Sequence, residues 1–252
     1  MKMIILTLFI LYALGNLAYL IIIYFLKKHA HGNSIAACSC HSMGIGINVL
    51  QLLIGPIAHS NKCEKRNKNN LTIYLIIQLM TISYGMLIFS MNEGNVFLFT
   101  YGYILLCIAV IDYNLYIIPN VLVVALLISG LIKNYVFHES MLLGLLISLI
   151  VGSVFILVNR LTNRIWKRES IGLGDIKLLV ALSFYWSYEI FAIGLWLSAI
   201  IAIPGFYLIK MISERHMQEK RIPFGFFLGV VFSIMVFYNN ELIVLYLKFI
   251  GE

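Results

Sequence analysis

Long apolar runs, broken by short polar stretches, organise this chain. Eight of them approach the roughly 20 apolar residues that a bilayer-spanning helix needs. They cover 3–26, 71–90, 96–111, 117–132, 141–158, 176–188, 190–209 and 223–238. The fourth and sixth are short, and little more than Glu189 parts the sixth from the seventh. An apolar tail, Leu242 to Ile250, either finishes the last helix or lies on the surface. The pattern predicts an all-α polytopic membrane protein of about eight transmembrane helices. It divides the chain into a first helix (1–26), a cytoplasmic loop (27–70) and a membrane domain (71–252).

Composition narrows the class. Hydrophobic residues make up 62% and charged residues 12%, and the mean hydropathy is +0.95. A water-facing surface needs about twice that charge, so a soluble globular domain and a disordered chain are excluded. Four cysteines in 252 residues do not make a disulfide scaffold. The first run is too long for a cleavable signal peptide and has only Lys2 before it.

Net charge is +7, and its placement is informative. No basic stripe alternates with aromatics, so nucleic acid is not an expected partner. The loop 27–70 carries Lys27, Lys28, Lys62, Lys65, Arg66 and Lys68 against Glu64. Segments 159–175 and 210–222 are also rich in Lys and Arg, whereas 91–95, 133–140 and the turn at Glu189 are not. Basic and near-neutral loops alternate through all eight runs. That is the positive-inside pattern with both termini outside. Within loop 27–70, Met43 to Ala58 contains Gly44, Gly46 and Pro56 and reads as interfacial or re-entrant rather than spanning.

Only two aspartates occur, Asp112 and Asp175, and this topology puts both on the cytoplasmic side. Asp112 ends the third run, in I-D-Y-N-L-Y-I-I-P-N (111–120), with Pro119 after it. Asp175 opens the sixth, in G-L-G-D-I-K-L (172–178), behind Gly172 and Gly174. A lone aspartate at a helix end is often a solvated cap. An ionisable group at a membrane helix end also marks function by default. Two converging carboxylates cannot both ionise easily, so such a pair shares one proton near neutral pH. The ionised member can activate water while the protonated one polarises a carbonyl, which is aspartyl protease chemistry.

These runs resemble type IV prepilin peptidases. The stretch 105–120 is similar to the family's first aspartate motif, and 172–178 to its second, GxGDxKL. R-I-P-F-G-F-F-L-G (221–229), with Pro223 and Gly225, resembles the segment that opens the family's last helix. The resemblance covers about 60–240 and implies the following. Asp112 and Asp175 are the catalytic pair of a membrane aspartyl endopeptidase. Its substrates are prepilins or pseudopilins of pilus, secretion or competence systems, whose assembly machinery is an indirect partner. It resides in the bacterial inner membrane, and its active site is at the cytoplasmic side. Lys177 matches the motif lysine and either biases the pair's protonation or snorkels at the interface.

The first loop departs from the family. Many members carry two Cys-x-x-Cys pairs there, a set that suits zinc. Here the first pair is Cys38-Ser39-Cys40, and Cys63 stands alone with Arg66 in its partner's place. Cys38, Cys40 and Cys63 with His41 or His59 compose a Cys₃His set; reduced thiols are the alternative. Some members methylate the new pilin N-terminus with S-adenosylmethionine, an activity linked to this loop. Proteolysis alone requires no cofactor. No H-E-x-x-H or G-x-S-x-G occurs. A transporter using the aspartates as a proton or ion relay is the rival class, and it expects midplane charges and an internal repeat. Presenilin-type proteases share GxGD, but their late Pro-Ala-Leu motif is not matched by Ala202-Ile203-Pro204.

Overall fold

A computed structural model describes residues 14–15, 17–22, 77–87, 96–138, 140–167, 171–212 and 222–238. The loop 27–70, with Cys38, Cys40, Cys63, His41 and His59, lies outside these, as does the apolar tail. The chain forms two compact units, Met1–Asn95 and Val96–Glu252. In the first, residues 17–22 and Ile77–Leu87 are helical.

Among the described residues the second unit has six helices: α1 (Val96–Leu115), α2 (Asn120–Val136), α3 (Met141–Trp166), α4 (Leu173–Tyr185), α5 (Tyr188–Ile212) and α6 (Phe224–Met235). All regular structure among the described residues is helical. Each apolar run from residue 96 onward coincides with one of these helices. Several ends differ from the hydropathy reading by three residues or more, and two of them have a clear physical cause. The helix of the third run continues past Asp112 to Leu115, because that aspartate is buried against protein rather than solvated. The helix of the fifth continues through Asn159 and Arg160 to Trp166, a polar extension that a purely apolar window stops short of.

Local chemistry sets the boundaries. Tyr116 takes a left-handed conformation (φ 56°) and closes α1 with its N–H on the Asp112 carbonyl at 2.8 Å. Pro119, its φ fixed by the ring, starts α2, and its carbonyl accepts the Leu122 and Val123 N–H groups. Ser140 Oγ caps α3 by accepting the Leu143 N–H at 3.3 Å.

Packing separates an enclosed part from a lipid-facing part. α4 is buried almost all round, lies between α2 and α3, and also touches α6. At about 1.5 Å per residue its 13 residues reach roughly 20 Å, short of the ~30 Å hydrocarbon core. Protein, not lipid, surrounds it. Phe184 of α4 fits against Gly130 of α2 and Gly144 of α3. α6 lies along α1 so closely that a Cβ on Gly229 would stand 2.7 Å from the Leu105 carbonyl oxygen. Ser233 Oγ donates to Gly102 O (3.2 Å) across the same seam. Ala202 and Phe206 of α5 pack against Phe227 of α6.

By contrast, α3 presents Leu142, Leu149, Val154, Leu157 and Ile165 outward. A helix apolar on its exposed faces requires lipid. Among the described residues, three helices are long and apolar enough to cross a membrane, Phe97–Leu115, Met141–Ile165 and Tyr188–Met211. Shorter apolar helices accompany them. The protein is an integral membrane protein.

The α1–α6 seam yields a stability prediction. Gly229→Val forces side-chain atoms onto the Leu105 backbone and the Ala109 Cβ, and overpacking of this kind costs about 1–3 kcal/mol. Leu149→Ala, on the exposed face of α3, changes stability far less. Thermal unfolding in detergent micelles compares the two.

Candidate active site

Three segments meet around the two aspartates. Asp112 sits near the end of α1 and is 4% exposed. Asp175 lies in the first turn of α4 and is half-buried. They are close enough for the charge of Asp175 to act on Asp112. The start of α6, residues 222–226, completes the site.

Helix starts leave backbone N–H groups without intrahelical partners. In α6 the cap position is Pro223, which supplies no side-chain hydrogen bond. Asp112 fills that role from 114 residues away: the Phe226 N–H donates to Asp112 Oδ2 at 2.9 Å. The Gly225 N–H lies within reach of both carboxylates. The positive end of the α6 dipole therefore faces the pair. Asp175 has its own local donor, the Gly172 N–H. A third-position acid reaching back to the cap N–H is half of a capping box.

Glycines make the convergence sterically possible. A Cβ on Gly225 would stand 2.6 Å from Ile118 Cδ1 and 3.0 Å from Asp112 Oδ2. One on Gly172 would crowd Asp175 Oδ2 at 3.0 Å. Ile118 also faces Gly174, its Cβ 3.3 Å from where a side chain there would begin. One buried isoleucine thus touches both the Asp175 segment and the α6 start. Gly172 and Leu173 are exposed, so the pair has an open side next to Asp175.

The residues named from the sequence fall as follows. Gly172 and Gly225 stand against the Asp175 and Asp112 carboxylates, Gly174 faces Ile118, and Pro223 holds the cap position of α6. Pro119 is buried and turns the chain from Ile118 into α2. Lys177 is exposed, and its Nζ donates to Asn120 Oδ1 at 3.1 Å. Ile118, Asn120 and Phe226 were not singled out by sequence reasoning, although all three stand inside the quoted motifs. Among the described residues no cluster of three or more His, Cys, Asp or Glu residues can hold a metal. Cys38, Cys40 and Cys63 lie outside that set.

Similarity to known proteins points the same way as the motifs. Residues 98–209 match the type IV leader peptidase family, a stretch that contains both aspartates and stops short of α6. A Pseudomonas aeruginosa protein named prepilin leader peptidase/N-methyltransferase is 30% identical over 169 residues, 65% of this chain and 56% of the relative. Its namesake from Stutzerimonas stutzeri is 29% identical over 167 residues, 64% of this chain and 55% of the relative. That of Aeromonas salmonicida is 27% identical over 184 residues, 69% of this chain and 61% of the relative. The chain thus spans little more than half the length of these relatives. No solved structure matches. The resemblance to type IV prepilin peptidases holds.

The capping role of Asp112 makes a prediction that is independent of any activity. Asp112→Leu removes the carboxylate that the Phe226 amide meets, leaving that amide the Pro223 carbonyl at 3.2 Å, and losing a hydrogen bond to such a group costs about 1.5–3 kcal/mol. Asp112→Asn keeps an acceptor oxygen and loses markedly less. Melting of the two purified variants measures the difference.

Proposed function

We propose, from the type IV leader peptidase family that residues 98–209 match, that this protein is a membrane-embedded aspartyl endopeptidase. It removes the short basic leader of type IV prepilins or pseudopilins for a pilus or competence pseudopilus. The observation that carries this reading is the meeting of Asp112 and Asp175, the chain's two aspartates, around the Gly225 N–H.

Burial and mutual repulsion leave the pair with one proton. The ionised carboxylate takes a proton from water as the oxygen attacks the scissile carbonyl carbon. The protonated carboxyl donates its hydrogen bond to the carbonyl oxygen. Collapse of the tetrahedral intermediate breaks the C–N bond, and the departing amine receives a proton from the pair. The products are a leader carboxylate and a new N-terminal amine. The half-buried Asp175, beside exposed Gly172 and Leu173, is the member placed to meet water and peptide first.

The topology that fits is eight spans in the bacterial inner membrane with both termini outside. The end of α1 and the start of α4 then lie at the cytoplasmic face, where a basic leader emerges from the bilayer. Hydrolysis by this pair needs no metal or cofactor. Zinc at Cys38, Cys40 and Cys63, and methylation with S-adenosylmethionine, form no part of the assigned reaction, because the first loop lacks intact cysteine pairs. The relay reading is less well supported: both aspartates stand in terminal turns of their helices, away from the midplane that an ion path favours.

Two outcomes follow. Asp112→Asn and Asp175→Asn each lower prepilin cleavage by roughly 10²–10⁴-fold while the protein remains inserted, as read by mass spectrometry of the leader. In wild type the rate falls at acid pH, where both carboxyls are protonated, and at alkaline pH, where both are ionised. The bell-shaped profile belongs to the pair rather than to either residue.

A further inference from the structure

Lys177 follows Asp175 by two residues on α4, and residues so spaced do not share a helix face. Its ammonium is committed elsewhere, to Asn120 Oδ1 at 3.1 Å. Asn120 is the first residue of α2. The bond therefore ties the second turn of the Asp175 helix to the far end of the link that follows the Asp112 helix. That link, residues 116–119, has little slack. Tyr116 is left-handed (φ 56°), Pro119 fixes the exit, and Ile118 presses against Gly174 and Gly225. On the other side of α4, Asn159 Oδ1 of α3 accepts the Ile171 N–H at 3.4 Å, which steadies the approach to Gly172.

We propose that Lys177 and Asn120 are positioning residues that strap the two aspartate-bearing helices at working separation by holding Ile118 between Gly174 and Gly225. Lys177 is exposed, so the strap adds little to overall stability. Its effect is on alignment, where an error of about 1 Å costs up to ~10²-fold in rate. This rests on the peptidase reading for its kinetic consequence, though not for its structural one.

The test uses the full chain in detergent or proteoliposomes with a prepilin substrate. Lys177→Met and Asn120→Leu each lower kcat roughly 10–100-fold, with KM, melting midpoint and the shape of the pH profile unchanged. The double variant is no worse than either single, because one bond is lost only once. Asn120→Asp and Lys177→Arg keep acceptor and donor and recover most of the rate. Multiplying losses in the double variant overturn the strap. So does a pH profile displaced by Lys177→Met and untouched by Asn120→Leu, which would make Lys177 a charge acting on the pair. A second readout does not need turnover. The chain's two aspartates give two carboxyl resonances in protein made with ¹³C-labelled aspartate, and both single variants shift them alike. If neither variant moves either resonance, the strap is wrong, whatever the enzyme cuts. If wild type and the aspartate variants cut alike, the peptidase reading fails instead.

Discussion

A carboxyl group among apolar helices is tolerable only where donors meet it, and the start of α6 supplies them to Asp112. Pro223 cannot cap its own helix with a side chain, and the Phe226 amide, which otherwise has the Pro223 carbonyl at 3.2 Å, gains a carboxylate acceptor in Asp112 at 2.9 Å. Asp112 and α6 each satisfy what the other lacks. The same contact fixes where α6 begins, and the glycine at 225 and the close α1–α6 seam at Gly229 follow from it. Asp175 completes the arrangement from α4, with its own amide at Gly172 and a shared one at Gly225.

The division between lipid-facing and enclosed helices serves this site. α3 and much of α5 expose apolar side chains to the bilayer. α4 is too short to cross and is held by its neighbours. A short helix wrapped by protein need not cross the whole apolar layer, and at its start Asp175 meets the Gly172 amide. The acid pair is thus dry on the Asp112 side and open beside Gly172 and Leu173.

Much of this was legible in the sequence, for reasons that differ by residue. Apolar runs located the helices from 96 onward because lipid exposure imposes hydrophobicity nearly all round. The two aspartates stood out because ionisable groups are scarce in such a chain. Gly172, Gly174 and Gly225 lie in the motifs that carry the resemblance. Other features were hidden. Hydropathy ends the third run at 111, since it cannot know that amides 114 residues later bury Asp112 and let the helix continue to Leu115. Ile118 reads as one more apolar residue until its contacts with Gly174 and Gly225 are seen. The distance in sequence between Lys177 and Asn120 left the lysine with two open readings, neither of them a hydrogen bond to that asparagine.

The central claim is that Asp112 and Asp175 behave as one coupled acid pair, and the chain offers a direct view of it. Because it has two aspartates, ¹³C-carboxyl labelling of aspartate reports on this site alone. The measurement is a pH titration of both resonances in wild type and in Asp175→Asn. Coupling predicts that each wild-type resonance titrates in two steps, and that removing the Asp175 charge moves the midpoint of the remaining Asp112 resonance. Two independent single-step curves, with Asp112 unchanged in the variant, would contradict the account.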